Sequence, residues 1–194
     1  MKANSRFPFH LFTGALALAF AFTAAAESGS LAELGHPKKV ALKADNGAWF
    51  ARCSQCQKSV NNGYPETITL HVKSEEPTEK FTQFEMHKLK DGEVAFKSDN
   101  GMWVGMCTDC IVGGAKPDFI TVHVKADKED DIPSWSKFQV EELGNGKIAL
   151  KADNGKYVAR CNSCSPGASY PDQVTAHMDD TSNPFAQWEI VDVD

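Results

Sequence analysis

The sequence predicts an all-β protein, and three observations carry that prediction. The first is a repeat. Val-Ala-Leu-Lys-Ala-Asp-Asn-Gly opens at Val40, Val-Ala-Phe-Lys-Ser-Asp-Asn-Gly at Val94 and Ile-Ala-Leu-Lys-Ala-Asp-Asn-Gly at Ile148, spaced by 54 residues both times. Behind each opening come, in order, an aromatic residue, a C-x-x-C, a Pro-acid pair, a Thr-x-His and a closing aromatic stretch. The second is the identity between copies: 11 of the 17 positions from Val40 to Cys56 match those from Ile148 to Cys164. The third is a period of two along the apolar runs, with no sustained helical period anywhere.

Each copy reads as four short strands. In the opening run Val40 and Leu42 share one face, and Ala41 and Lys43 the other. Asp45-Asn46-Gly47, Asp99-Asn100-Gly101 and Asp153-Asn154-Gly155 read as type I′ hairpin turns, because Asn-Gly accepts positive φ. The second strand carries Trp49, Trp103 or Tyr157, read as core, and an irregular loop with the cysteines follows. In the third strand Ile68, Leu70 and Val72 alternate with Thr67, Thr69 and His71; the equivalents are Ile120/Val122/Val124 and Val174/Ala176/Met178. The fourth strand offers Phe84 and Met86, Phe138 and Val140, then Trp188 and Ile190, with Phe84, Phe138 and Trp188 read as core.

One such unit cannot bury its apolar face alone, and propellers use at least four blades. Three four-stranded units suit a single β-trefoil, six strands forming a barrel and three hairpins capping it. The expected domain covers 37–194, with repeats 40–93, 94–147 and 148–194. The run Leu150-Lys-Ala-Asp-Asn-Gly-Lys-Tyr-Val-Ala159 resembles the repeat opening of fascin-like, actin-cross-linking β-trefoils, and the resemblance extends over all three copies. It implies the trefoil fold and, as one alternative function, actin-cross-linking-like interaction. A fold of this kind hosts unrelated binding tasks.

Ahead of the repeats, Lys2 and Arg6 precede an apolar stretch from about Leu11 to Ala25, and Ala24-Ala25-Ala26 offers an A-x-A cleavage site. Residues 1–26 read as a signal peptide and 27–36 as a leader segment. A secreted or periplasmic protein follows, with no stable membrane insertion after cleavage. The chain is acidic, 20 Lys+Arg against 26 Asp+Glu, which argues against sequence-independent nucleic-acid binding through phosphate contacts. A monomer is expected.

The cysteines, one pair per repeat, admit three readings. Cys53/Cys56, Cys107/Cys110 and Cys161/Cys164 suit local disulfides in an exported protein, each stapling its own loop; symmetry would set the three loops far apart around the axis. A thiol-redox reading lacks the helix N-terminus that lowers a reactive cysteine's pKa. A metal reading adds His71, His123 and His177, which lie 15, 13 and 13 residues after the second cysteine of each pair. Two thiolates and an imidazole suit zinc, with Glu66, Asp118 or Asp172 as fourth ligand. The alternative places those histidines on the solvent face of the third strand. No cofactor is otherwise expected.

No Gly-x-Ser-x-Gly, phosphate loop or His-Glu-x-x-His is found, so a non-catalytic binding module is expected. Tyr64-Pro65-Glu66 and Tyr170-Pro171-Asp172 set an aromatic face beside a carboxylate, with Asn61, Asn62 and Ser169 nearby. That chemistry suits a pyranose, so Tyr64, Glu66, Tyr170 and Asp172 are the expected ligand contacts. The second loop, with Lys116-Pro117-Asp118, is expected to be weak. The partner is then a glycan, or in the structural alternative an extracellular protein surface.

Overall fold

The computed structural model describes residues 36–57 and 66–194. The signal peptide, nearly all of the leader, and Asn61, Asn62, Tyr64 and Pro65 lie outside them. Twelve strands follow in order: β1 Lys38–Lys43, β2 Trp49–Ser54, β3 Glu66–Val72, β4 Phe84–Lys88, β5 Val94–Lys97, β6 Trp103–Thr108, β7 Asp118–Val124, β8 Gln139–Gly144, β9 Lys147–Lys151, β10 Tyr157–Asn162, β11 Asp172–Met178 and β12 Trp188–Asp192. The helical content of the described residues is four single 3₁₀ turns. Every pairing is antiparallel.

Six strands close a barrel. β1 pairs with β4 and β12, β4 with β5, and β9 with β8 and β12. Between β5 and β8, Val94 and Phe138 exchange both backbone hydrogen bonds, at 2.8 and 2.9 Å. The same contact recurs in each repeat, because Val40 lies opposite Phe84 and Ile148 opposite Trp188. These six side chains fill the barrel, all of them buried. Each is worth about 1.5–3 kcal/mol in apolar burial. The Trp188 ring meets Phe50 edge-on at 5.5 Å, and its indole N–H donates to the Val158 carbonyl at 3.0 Å. The buried donor is therefore satisfied.

The other six strands form three hairpins, β2–β3, β6–β7 and β10–β11. Their second strands pair with one another in a ring: Thr67 with Thr121, Phe119 with Thr175, and Gln173 with Thr69. This buries the side that the alternation left polar. Thr69, Thr121 and Thr175 are buried because that face turns into the junction of the hairpins, and the histidines two residues on are half-buried rather than on a solvent face.

The three Asp-Asn-Gly turns are not type I′. Only the glycines have positive φ, 77°, 79° and 78°. The glycine N–H bonds the carbonyl three residues back, and the asparagine Oδ1 accepts the N–H two residues on, at 2.9–3.0 Å. This is a type I turn followed by a left-handed glycine, the usual three-residue hairpin loop. The type I′ signature belongs to Asn145-Gly146 between β8 and β9, where φ is 54° and 72°. At the start of the hairpins Trp49 and Trp103 are buried, but Tyr157 is half-exposed, its hydroxyl donating to Glu141 at 2.6 Å. Lys43, Lys97 and Lys151 lie over these three rings at 4.8–5.6 Å.

Candidate functional site

The cysteines form three local disulfides, Cys53–Cys56, Cys107–Cys110 and Cys161–Cys164, with Cα atoms 5.6–5.7 Å apart. In each, the residue before the second cysteine takes positive φ: Gln55, Asp109 and Ser163. The described residues hold no group of three His, Cys, Asp or Glu placed to share a metal ion. The loops are not far apart around the axis. Ala115 N–H donates to the Cys164 carbonyl and Ser169 N–H to the Cys56 carbonyl, both at 2.7 Å. Cys161 and Cys164 also pack on Ile111 and Phe119 of the second repeat. The second and third loops thus each reach the cysteine pair of a neighbouring repeat.

The histidines report a second use of the cap. His71, His123 and His177 bond through Nδ1 to the hydroxyls of Thr69, Thr121 and Thr175, at 2.7, 2.6 and 2.7 Å. Burial holds all three imidazoles below 6.5, and Lys116 adds to the depression at His177. The His71 ring is stacked on both faces. Tyr170 of the third repeat lies against it at 4.4 Å and Phe81 of its own repeat at 5.9 Å. Tyr170 stays 38% exposed. Phe81 sits in a 3₁₀ turn, Lys80–Thr82, whose counterparts Ser134–Ser136 and Pro184–Ala186 carry Trp135 and Phe185. Trp135 and Phe185 are 44% and 37% exposed. The turn aromatic next to the third-strand histidine escaped the sequence reading, although its spacing of three residues before Phe84, Phe138 and Trp188 is regular.

Beside Trp135 the strand carries Gly105, where the other repeats have Ala51 and Ala159. A Cβ at Gly105 would stand 2.6 Å from Ser136 Oγ and within 3.4 Å of His123 and Trp135. The glycine thus makes room chiefly for Ser136, where the other repeats have Thr82 and Ala186.

Glu66 and Asp172 are engaged elsewhere. Arg52 donates to both oxygens of Asp99 at 2.7 and 2.8 Å and to Glu66 at 3.2 Å, and Asn100 bonds the other Glu66 oxygen. Arg160 donates likewise to Asp45, at 2.7 Å twice, and to Asp172 at 3.2 Å. Asn46 and Asn162 complete Asp172. Their side chains are only 17% and 15% exposed. The recurring turn aspartates thereby latch one repeat to the next, and the Arg52 guanidinium holds the Asp99 carboxyl below its ordinary 3.8. Two hollows of about 110 Å³ each lie by His87 and by Asp91. Pockets for organic ligands run to about 300–1,000 Å³, several times the size of either hollow.

No protein-family model and no curated relative matches the chain. Solved structures do. The designed threefold-symmetric protein ThreeFoil is similar with a TM-score of 0.56 and 12% identity, over 80% of this chain and 99% of that one. The SDF2-like protein from Arabidopsis thaliana gives 0.60 and 8%, over 82% and 94%. An exo-β-1,3-galactanase from Clostridium thermocellum gives 0.56 and 12%, over 83% of this chain but 31% of the enzyme. The likeness is one of fold. It fits the closed barrel and hairpin ring described above.

Proposed function

We propose that this chain is a single β-trefoil over 37–194, exported from the cell, and that it acts as a non-catalytic carbohydrate-binding module. Export is supported by the signal-like charged and apolar segment 1–26 and by three disulfides, which persist in oxidising compartments. From the fascin-like resemblance the proposal takes the fold and leaves actin cross-linking aside. The observation that carries the carbohydrate reading is Tyr170, whose ring is laid flat on His71 while more than a third of its surface stays open. An aromatic face fixed in advance costs little ordering entropy on binding. A sugar ring offers it C–H groups, and its hydroxyls need the polar atoms around it. Trp135, the exposed turn aromatic of the second repeat, supplies a further face. Glu66 and Asp172 act as positioning residues for the loops.

The test is binding to a glycan array, followed by titration of the best sugar against Tyr170→Ala and Trp135→Ala. The reading expects at least a tenfold loss in one single variant and nearly complete loss in the double. Unchanged binding by a folded double variant would remove the aromatic faces from recognition.

A further inference from the structure

The three latches between repeats are built alike except for one residue. In two of them an arginine, Arg52 or Arg160, joins a turn aspartate to the acid that begins the third strand. In the latch between the second and third repeats the equivalent residue is Met106, buried in the core. The rest of that latch is kept: Asn154 donates to Asp118 at 2.9 Å, as Asn46 does to Asp172 at 3.1 Å. Asp118 and Asp153 therefore belong to the same seam, and among the described residues their side-chain donors are neutral. Thr108 serves the first at 2.5 Å and Ser134 the second at 3.0 Å.

The chemistry that this set accepts is visible in its counterpart. Arg160 spans Asp45 and Asp172 while its guanidinium carbon lies 4.0 Å over the Phe185 ring. Trp135 is the residue equivalent to Phe185, and it is the better ring for a cation. Its own turn is joined to Asp153 through Ser134. Glu93 lies close enough to feel the Asp153 charge, and Lys137 of the same neighbourhood ion-pairs with Asp91 at 3.9 Å.

We propose that Asp118, Asp153 and Trp135 form a site for a guanidinium group presented from outside the chain, as an arginine side chain would present it. Two carboxylates give charge-assisted hydrogen bonds to the guanidinium edge, and the indole covers its face. This site is independent of sugar stacking on Tyr170.

The experiment titrates ethylguanidinium, glucosamine and N-acetylglucosamine into the full chain while the Trp135 indole N–H resonance is followed. That resonance is assigned by its loss in Trp135→Phe. Ethylguanidinium is expected to move it saturably and with the highest affinity of the three, glucosamine more weakly, and N-acetylglucosamine, which carries no cation, most weakly. Met106→Arg, which restores the internal guanidinium of the sibling latches, should weaken ethylguanidinium binding by about tenfold or more. Asp153→Asn combined with Asp118→Asn should do the same, and stands in if Met106→Arg fails to fold. No saturable shift with ethylguanidinium, or equal shifts in the wild type and the folded variants, would overturn the proposal. Binding of ethylguanidinium without either sugar would leave this site standing. Glucosamine and N-acetylglucosamine binding equally well, without ethylguanidinium, would refute it and leave the carbohydrate reading intact.

Discussion

In the barrel, the residues turned to the interior are Val40, Val94, Ile148, Phe84, Phe138 and Trp188, all apolar. In the cap, the corresponding interior holds Thr67, Thr69, Thr121, Thr175 and Gln173, with Gln57 beside them. The barrel is closed by backbone pairing around a dispersion-packed core. The cap is closed in part by specific polar contacts, Thr69 to His71 and Gln173 Nε2 to Gln57 among them, although Thr67 Oγ1 and Gln173 Oε1 are buried with no hydrogen-bond partner among the described residues. The difference teaches where each repeat was free to change. The barrel positions differ between copies only in size, Val for Ile or Phe for Trp. The cap positions differ in chemistry: Arg52, Met106 and Arg160; Tyr170 against Lys116; Phe81, Trp135 and Phe185.

The largest effect is expected in the barrel. Trp188→Ala removes a ring that is fully buried and leaves a cavity in contact with Phe50. A loss of about 3–5 kcal/mol is expected by urea unfolding. A change under about 1 kcal/mol would mean that the barrel does not depend on this layer, and the contrast with the cap would break. In the cap, Arg160→Met copies the second repeat into the third. It strands Asp45 and Asp172 without their cation and should cost about 2 kcal/mol, in line with hydrogen bonds to charged groups. Equal stability would show that the latches serve recognition alone, and would sharpen the contrast in the other direction.

The barrel was legible in the sequence because its signals are local. Alternation marks Val40 and Leu42, and the 54-residue spacing places their counterparts. The turns were legible in position but not in type. Asn-Gly accepts two backbones, and the extra aspartate in front lengthens the loop to three residues. The simpler Asn145-Gly146 pair was the true type I′ signal and went unread. The cap was legible in composition only. Tyr170 and His71 lie in different repeats, and nothing periodic within one copy reports their stacking. Glu66 and Asp172 looked available because their partners, Arg52 and Arg160, stand on the preceding strand, 14 and 12 residues away along the chain. The clue was the joint pattern of turn aspartate, pre-cysteine arginine and strand acid in two copies, with Met106 as the exception. Likewise the loops were long enough to interlock, but sequence length alone does not show where a loop is tied.

The smallest expected effect concerns the three imidazoles. Burial places their folded pKa below the 6.5 of an open imidazole, so below 6.5 the unfolded chain binds protons that the folded chain refuses. Stability then rises with pH through this window. It should fall as the pH drops from about 7 toward 5, and level off once the folded imidazoles protonate as well. Asp99 acts in a separate range: its depressed pKa gives stability that is present above 3.8 and lost as the pH falls through the folded value. The two windows can be told apart by urea midpoints measured at pH steps between about 8 and 3. His71→Gln, which is uncharged throughout, should flatten part of the upper window and leave the lower one unchanged. The Tyr170–His71 stack gives the same titration a second readout. Protonating His71 sets a cation against the tyrosine face, so the Tyr170 ring resonances should move with the imidazole, at a pH below that of a free histidine. If those resonances titrate at or above 6.5, or not at all while the His71 ring does, the imidazole is not held against Tyr170 in solution. The cap would then lose the pre-ordered Tyr170 face that carries the carbohydrate reading.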